Sequence, residues 1–590
     1  MEKRWTDAQL SAIGAKNKKI LVSAAAGSGK TATLIERIIR SVTEDVPPLD
    51  LSRMLIVTFT KAAASELKLR ILSALNNAVA SDPQSKHLKR QLLLLESAQI
   101  CTIDSFCMNV LRDEFQNSDN DADFKIGDEN ELKFIKVKAM DASVEEVLKE
   151  LHSEGKKDSV LEFFSVLTGP RRDDELAEKL LSVRSMLKTS PGETEYIKSA
   201  ALDLESDAAA GEINDRAKAI ILRETDHLFT HIKSMLDGYI VTFEDQPETL
   251  AKYGDAIMSD LALCESVISR VAESSYFEVR SILRSFSFKK LGILKSTLKT
   301  PQSESFMADR SAYKKAINKL ISNYYSVNHD DIKLINEKSS AFLSILYRIL
   351  TKYDESYAKA KRSAHLLEFD DLKSGVYKLF VDENGDPTQL ALEYSSKYDI
   401  IYIDEYQDVD PIQDRIFNAL SVNSHLFMVG DIKQSIYGFR GSDPSIFGDL
   451  RRSFKNYDED GKEAENAAIY MSNNFRCSLP VINASNFICS HLFRETNSSA
   501  ESVGYTKHDD LIFSKLSDAA TDKKCEFSVI APSERDDSED AGRLNAEIKY
   551  VAYKISDIIK NEKKEDGSPF SYTDFAVLCD KNAQVKEVSD

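Results

Sequence analysis

Lys18-Lys19-Ile20-Leu21-Val22-Ser23-Ala24-Ala25-Ala26-Gly27-Ser28-Gly29-Lys30-Thr31 is the stretch on which the fold of this chain turns. An apolar run, 18–23, predicts a strand, a glycine-bearing turn follows, and Thr31-Ala32-Thr33-Leu34-Ile35-Glu36-Arg37-Ile38-Ile39 opens a helical pattern. That succession is what a phosphate-binding loop needs. Its backbone N–H groups and the helix N-terminus cradle phosphate oxygens, Lys30 reaches the β/γ oxygens, and the Thr31 hydroxyl is placed to hold Mg²⁺. Ala24 stands where the general pattern has its first glycine, which leaves the tight turn to Gly27 and Gly29.

Outward from this loop, residues 1–115 alternate short apolar runs with helical patterns: 18–27, then 31–42, 53–60, 61–75 and 99–104. Strands interleaved with helices of this length predict parallel strands joined by crossover helices, an α/β fold. Residues 116–365 change character to long, charged, helix-periodic segments and predict a mostly helical inserted domain. Strand patterns return at 398–405 and 425–431, so 366–468 is expected to resume the first sheet. A further α/β domain is expected over 469–590, with strands at 524–532 and 574–580 and a solvated acidic loop at 533–540.

The second informative segment is Ile400-Ile401-Tyr402-Ile403-Asp404-Glu405-Tyr406-Gln407-Asp408. An apolar strand ending in two carboxylates places Asp404 on a metal ion and Glu405 beside the γ-phosphate, where a water must be activated. A small-molecule kinase is disfavoured, because Glu405 prepares water for attack and a kinase must exclude it. A third segment, Gly430-Asp431-Ile432-Lys433-Gln434-Ser435-Ile436-Tyr437-Gly438-Phe439-Arg440-Gly441, follows another strand and crowds polar and aromatic groups into one turn.

Taken together, 403–408 and 430–441 resemble the second and third motifs of UvrD-like helicases. The resemblance implies a RecA-like parallel-sheet motor domain with a large helical insertion, plus the start of a second RecA-like domain, working on ATP and Mg²⁺. It implies that Gln434 senses the γ-phosphate, that Tyr437 and Phe439 stack on single-stranded bases, and that Arg440 supports the acidic pair. Stacking on aromatic rings contributes roughly 1–3 kcal/mol per base and tolerates any sequence, which a motor stepping along arbitrary DNA requires.

Further segments resemble the same family. Trp5-Thr6-Asp7-Ala8-Gln9 is similar to the motif whose Gln reads the adenine edge, and Asn473-Asn474-Phe475-Arg476 to the motif that opens the second motor domain. There Phe475 is expected to stack on adenine and Arg476 to approach the γ-phosphate. Thr58-Phe59-Thr60-Lys61 and Cys101-Thr102-Ile103-Asp104-Ser105-Phe106-Cys107 resemble two DNA-contacting motifs, which implies DNA contacts through Phe59, Thr60, Thr102, Ser105 and Phe106. Asp104 stands where relatives usually carry His, and an acid beside a phosphate would repel it. Within the family the chain most resembles the AddA subunits of bacterial AddAB helicase-nucleases. That resemblance rests on 58–67, 121–132, 367–372 and 427–447, and it implies 3′-to-5′ unwinding of DNA ends for recombinational repair, together with an AddB-like partner. The competing readings are a single-polypeptide repair helicase and a module that binds ATP and single-stranded DNA without efficient turnover.

The bulk properties limit these readings. At 590 residues the chain exceeds what one hydrophobic core supports, and three or four domains are expected. The net charge of −19 argues against a protein coated in positive charge, so DNA contacts must be local. Residues 281–320 carry nine basic and two acidic side chains, with Phe286, Phe288, Phe306 and Tyr313 interleaved, and form one candidate duplex-DNA contact. Seven cysteines without a Cys-x-x-Cys pair suggest neither a disulfide framework nor a zinc site, and with no apolar run long enough for a membrane span the expected compartment is the cytoplasm. The resemblance implies further motifs and a nuclease domain beyond 590, so the chain reads as the N-terminal part of a longer protein.

Overall fold

The computed structural model describes residues 5–118, 123–167, 176–187, 193–210, 213–493, 505–514, 525–529, 539–564, 566–579 and 581–589. The chain divides into two compact units, Met1–Ser23 with Lys30–Tyr470, and Ala24–Gly29 with Met471–Asp590.

In the first unit the chain runs α1 (Asp7–Gly14), β1 (Lys19–Ala24), α2 (Lys30–Thr43), β2 (Met54–Thr58), α3 (Lys61–Ser81), α4 (Lys86–Ser97), β3 (Gln99–Thr102) and α5 (Ile103–Asp113). After a helical stretch it returns through α15 (Phe369–Phe380), α16 (Gln389–Ser395), β6 (Ile400–Ile403), α17 (Pro411–Leu420), β7 (His425–Gly430), α18 (Pro444–Ser453), β8 (Lys455–Asn456) and β9 (Asn466–Met471). Among the described residues these strands form one sheet in the order β3-β2-β6-β7-β1-β9-β8. The β2 pairings with β3 and β6 are parallel, as are β6 with β7 and β7 with β1. Every residue of β2 and β6 is buried, as a parallel sheet covered by helices on both faces requires.

The intervening stretch holds α6 (Glu129–Ser153), α7 (Lys157–Leu167), α8 (Leu176–Leu187), α9 (Glu193–Ala210), α10 (Asp215–Glu244), α11 (Pro247–Ala272), α12 (Tyr276–Ser285), α13 (Pro301–Leu320) and α14 (His329–Ser363). It builds two hydrophobic cores. One gathers Phe229, Phe243, Tyr253, Phe306 and their neighbours from α10 to α13; the other gathers Met140, Phe163, Ile349 and Tyr353 from α6, α7 and α14. Where the chain leaves and re-enters the sheet region, β4 (Lys125–Ile126) pairs in parallel with β5 (Leu366–Leu367). Beside this ribbon Lys361 Nζ lies 2.6 Å from Asp371 and 3.4 Å from Glu368, and Lys136 Nζ also reaches Glu368.

The basic stretch 281–320 is corrected in part. Phe306 and Tyr313 are buried, and Phe286 and Phe288 pack against the same core, with Lys314 Nζ 4.8 Å from the Phe288 ring centroid. The aromatic rings of the stretch thus belong to this core, whereas Lys289, Lys290, Lys295, Lys299 and Lys315 are exposed.

In the second unit β10 (Asn473–Asn474) pairs in parallel with β11 (Ile512–Phe513), beside α19 (Leu479–Leu492); α20 (Glu539–Asn561) and α21 (Asn582–Ser589) follow. Of the strands expected at 524–532 and 574–580, the described parts, 525–529 and 575–579, are unpaired. Phe527 is 88% exposed and Leu578 96%, so among the described residues neither run has the neighbouring strand that would convert its apolar pattern into a ladder. Residues 533–538 of the acidic loop lie outside the described residues. Among those described, no helix is long and apolar enough to cross a membrane.

Candidate nucleotide and nucleic-acid site

Parallel strands share one carboxyl-terminal edge, where ligands of open α/β sheets bind. In the first unit this edge gathers the motif residues: Phe59 and Thr60 follow β2, Asp104 and Ser105 follow Thr102 at the end of β3, Asp404 and Glu405 follow β6, and Asp431 follows β7. The chain continues from β1 into the glycine loop and then into α2, which Lys30 opens.

Lys30 Nζ donates to Glu405 Oε2 at 2.8 Å. Glu405 has left-handed backbone, φ 55° and ψ 47°, a conformation that costs a residue with a Cβ roughly 1–2 kcal/mol and that marks functional turns. Its N–H donates to Asp404 Oδ1 at 3.0 Å. Loss of solvent around the half-buried Asp404 carboxyl, together with the charge of Glu405, pushes its pKa up to about 6. Burial and the same Glu405 charge push Asp408 up to about 6. Three carboxylates share one lysine, a set deficient in positive charge.

That deficiency has a pH signature. An acid whose folded pKa exceeds its unfolded value adds stability below the unfolded pKa and loses it as pH rises through the folded one. The Asp404 contribution therefore falls between about pH 4 and pH 6. Asp404→Asn keeps an oxygen for the Glu405 N–H and removes the charge. It is expected to raise ligand-free stability at pH 7.5 by roughly 1–2 kcal/mol and to leave it unchanged near pH 4. Thermal melts of both proteins at the two pH values check this; a constant difference across them would refute it.

The third motif is parked on its own aspartate. Gln434 Nε2 donates to Asp431 Oδ2 at 2.8 Å, and Lys433 Nζ lies 2.9 Å from Asp431 Oδ1. Beyond it the chain throws out a ring cluster: Phe59 and Tyr437 have centroids 4.5 Å apart, and Tyr437 and Phe439 5.9 Å. Phe439 is 75% exposed. Thr60 and Thr102 are the N-caps of α3 and α5, their hydroxyls accepting from Ala63 N and Ser105 N; the α3 N-terminus suits a backbone phosphate, whereas α5 carries Asp104 in its first turn, which opposes one.

The second unit contains the glycine loop and the segment expected to read nucleotide. Phe475 N donates to Gly27 O at 3.0 Å, Asn474 Nδ2 to Ala26 O at 2.7 Å, and Ala25 N to Met471 O at 3.0 Å. Asn474 Oδ1 accepts from both Arg476 N and Cys477 N. Gly27 has φ +72°, and a Cβ there would sit 2.9 Å from the Arg476 Cβ and from Asn474 Nδ2. Only glycine fits both the turn and that approach.

The family model of the UvrD/REP helicase N-terminal domain matches residues 5–455. The chain belongs to the UvrD/REP helicase family. Among curated proteins it is similar to the A-subunit of the ATP-dependent helicase/nuclease of Geobacillus thermodenitrificans, 32% identical over 94% of this chain and 45% of that protein. It is likewise 30% identical to the protein of the same name from Clostridium beijerinckii, over 98% of this chain and 48% of the relative. The chain spans about half the length of the curated relatives it matches.

Membership of the UvrD/REP family implies use of ATP, and the residues present fit it. Lys30, which opens α2, meets the Asp404-Glu405 pair that follows β6, and the surplus negative charge there suits a bound cation. Among the described residues no cluster of three His, Cys, Asp or Glu could hold a metal by itself. A Mg²⁺ ion at a nucleotide needs no such cluster, because it takes one or two protein ligands and fills its octahedron with phosphate oxygens and water.

Two expectations from the motifs are corrected. Phe106 is only 2% exposed and lies in the buried stripe of α5 with Ile103, Cys107 and Val110, so its ring cannot reach DNA. Arg440 lies over the rings of Tyr437 and Phe439, at 5.3 and 5.7 Å, and its described contacts do not include the acidic pair. Gln9 is buried and its Oε1 accepts from Thr6 N at 2.9 Å in a capping box, which fixes the amide. Sequence reading missed Arg37. Its buried guanidinium donates to the carbonyls of Ala12, Ile13 and Ala15 and lies 4.6 Å from the Phe427 centroid, tying the helix that carries Gln9 to β7.

Proposed function

We propose that this chain is the motor part of an ATP-driven DNA helicase, which translocates along single-stranded DNA and opens duplex DNA ends for recombinational repair. The observation that carries the reading is in the first unit: Glu405 held by Lys30 at the end of β6, and the ring cluster Phe59, Tyr437 and Phe439 beyond the two flanking strands, β2 and β7. In this reading Glu405 activates water and the rings stack on bases, so that one edge of one sheet bears the two halves of a DNA-dependent ATPase.

In this reading residues 1–115 and 366–468 form the first motor domain, 116–365 its helical insertion, and 469–590 the beginning of the second. Backbone groups of Ala24, Ala25, Ala26, Gly27, Ser28 and Gly29 receive the phosphates, Lys30 neutralises the β/γ oxygens, and Gln9 and Phe475 take the adenine. Thr31 and Asp404 would hold Mg²⁺, which supplies charge neutralisation on the phosphates. Glu405 accepts the proton of the attacking water, Gln434 turns from Asp431 towards the γ-phosphate, and Arg476 meets its developing charge. Phe59, Tyr437 and Phe439 stack on bases, and Thr60, Thr102 and Ser105 meet backbone phosphates. The relatives are named as one component of a helicase/nuclease, which supports a partner of AddB type. A 3′-to-5′ direction follows from the family resemblance alone, and the cytoplasm is the compartment the sequence leads one to expect.

The test is ATP turnover with and without single-stranded DNA. Strong stimulation is expected. Replacing Tyr437 and Phe439 together by Ala should weaken single-strand binding by several kcal/mol at most, while ATP affinity changes less than about threefold. Absence of any DNA effect on turnover in the full-length protein would refute the assignment. Equal loss of both ligands in the double variant would make the loop a folding element.

A further inference from the structure

Gln407 has no assigned role, yet its carboxamide is the most connected group near the acidic pair. The side chain is 1% exposed. Nε2 donates to Glu405 Oε2 at 3.0 Å and to Asp408 Oδ2 at 3.1 Å, and Oε1 accepts from Asp431 N at 2.9 Å. The orientation is chemically determined, since only the NH₂ end can face two carboxylates and only the oxygen can face an N–H. A side chain at Gly430 would collide with Oε1, so the bare backbone at the end of β7 is what admits the amide.

The aromatic loop is fastened at its two ends to the successive residues Gln407, Asp408 and Val409. Ser435 Oγ donates to Gln407 O at 3.1 Å, Ser442 Oγ to Asp408 O at 2.6 Å, and Asp443 N to Val409 O at 3.1 Å. Tyr437 and Phe439 lie between these fastenings. Glu405, at the other end of the connection, is held in left-handed backbone with its Oε2 shared between Lys30 and Gln407. A carboxylate held by two donors in a strained turn has discrete alternative positions, and whichever donor is withdrawn decides between them.

We propose that Gln407 is a positioning residue that couples the base-stacking loop to Glu405. Bases stacked on Tyr437 and Phe439 shift the 435–443 loop, the serine fastenings carry that shift to residues 407–409, and the carboxamide re-aims the Glu405 carboxylate. This rests on the reading of the chain as a DNA-stimulated ATPase. It assigns the stimulation to a hydrogen-bonded unit of the second and third motifs.

The experiment measures ATP turnover of the full-length protein with and without saturating single-stranded DNA, beside separate affinities for ATP and for DNA. Gln407→Leu should lower the ratio of stimulated to unstimulated rate on the order of tenfold, the size of ordinary coupling, with both affinities within about threefold of the parent. Should that buried substitution impair folding, Ser435→Ala with Ser442→Ala cuts the fastenings without touching Glu405. This double variant should keep the unstimulated rate and lose stimulation. An unchanged ratio in either well-folded variant overturns the proposal, as does a fall of both rates by the same factor, the mark of a merely structural role. A parent without stimulation instead overturns the functional reading itself, and the coupling role with it.

Discussion

The Glu405→Gln protein is expected to bind ATP at least as tightly as the parent and to hydrolyse it on the order of 10²–10⁴ times more slowly. The rate falls because an amide cannot accept the proton of the attacking water. Affinity is preserved because of the contact that Glu405 makes without ligand: its Oε2 holds Lys30 Nζ at 2.8 Å. Phosphate oxygens must displace that carboxylate before Lys30 can serve them, and a neutral amide competes less well. Nucleotide titration and single-turnover hydrolysis separate the two effects. Weakened binding with hydrolysis intact would reverse the roles assigned here.

Lys30→Ala should give the opposite pattern, with ATP affinity and turnover lost together. The substitution removes the cation beside Asp404, Glu405 and Asp408, and Lys30 is among the groups that hold both aspartates down. Their carboxyls therefore rise further, so near neutral pH the site tends to keep protons that a metal ion would have to displace. The expected loss of hydrolysis is at least 10²-fold, since charge on the transferring phosphoryl group goes unmet. A fluorescent nucleotide titration checks affinity independently of turnover; normal affinity would remove Lys30 from the phosphate site.

The sheet was legible because its strands are written as apolar runs buried on both faces, as at 20–23, 54–58, 400–403 and 426–430. The motif residues were legible because each run ends in a polar group whose chemistry has few other uses. Phe106 was misread although the signal was present: Ile103, Phe106, Cys107, Val110 and Leu111 follow helical spacing and form one buried stripe. Phe306, Tyr313, Ile317 and Leu320 repeat the lesson on α13. Gln407 was not legible, because its amide joins its sequence neighbours Glu405 and Asp408 to the distant Asp431, and no local pattern announces that link. The runs at 525–529 and 575–579 carry strand-like composition, but composition supplies no neighbour to pair with.

The ribbon of β4 and β5 has a consequence for how this architecture tolerates change. Two paired strands lie about 4.8 Å apart, so residues 125–126 and 366–367 form a closed neck through which all of 127–365 is attached. With the neck already closed, the entropic cost of bringing the ends together hardly depends on what hangs from it, and each doubling of an attached flexible length adds only about 0.6 kcal/mol. The helical part is thus a graft on a stem. Changes in its length are expected to be tolerated while α5 and α15 still meet on the sheet, provided the stem keeps its pairing and Lys136 and Lys361 keep their carboxylate partners at Glu368 and Asp371.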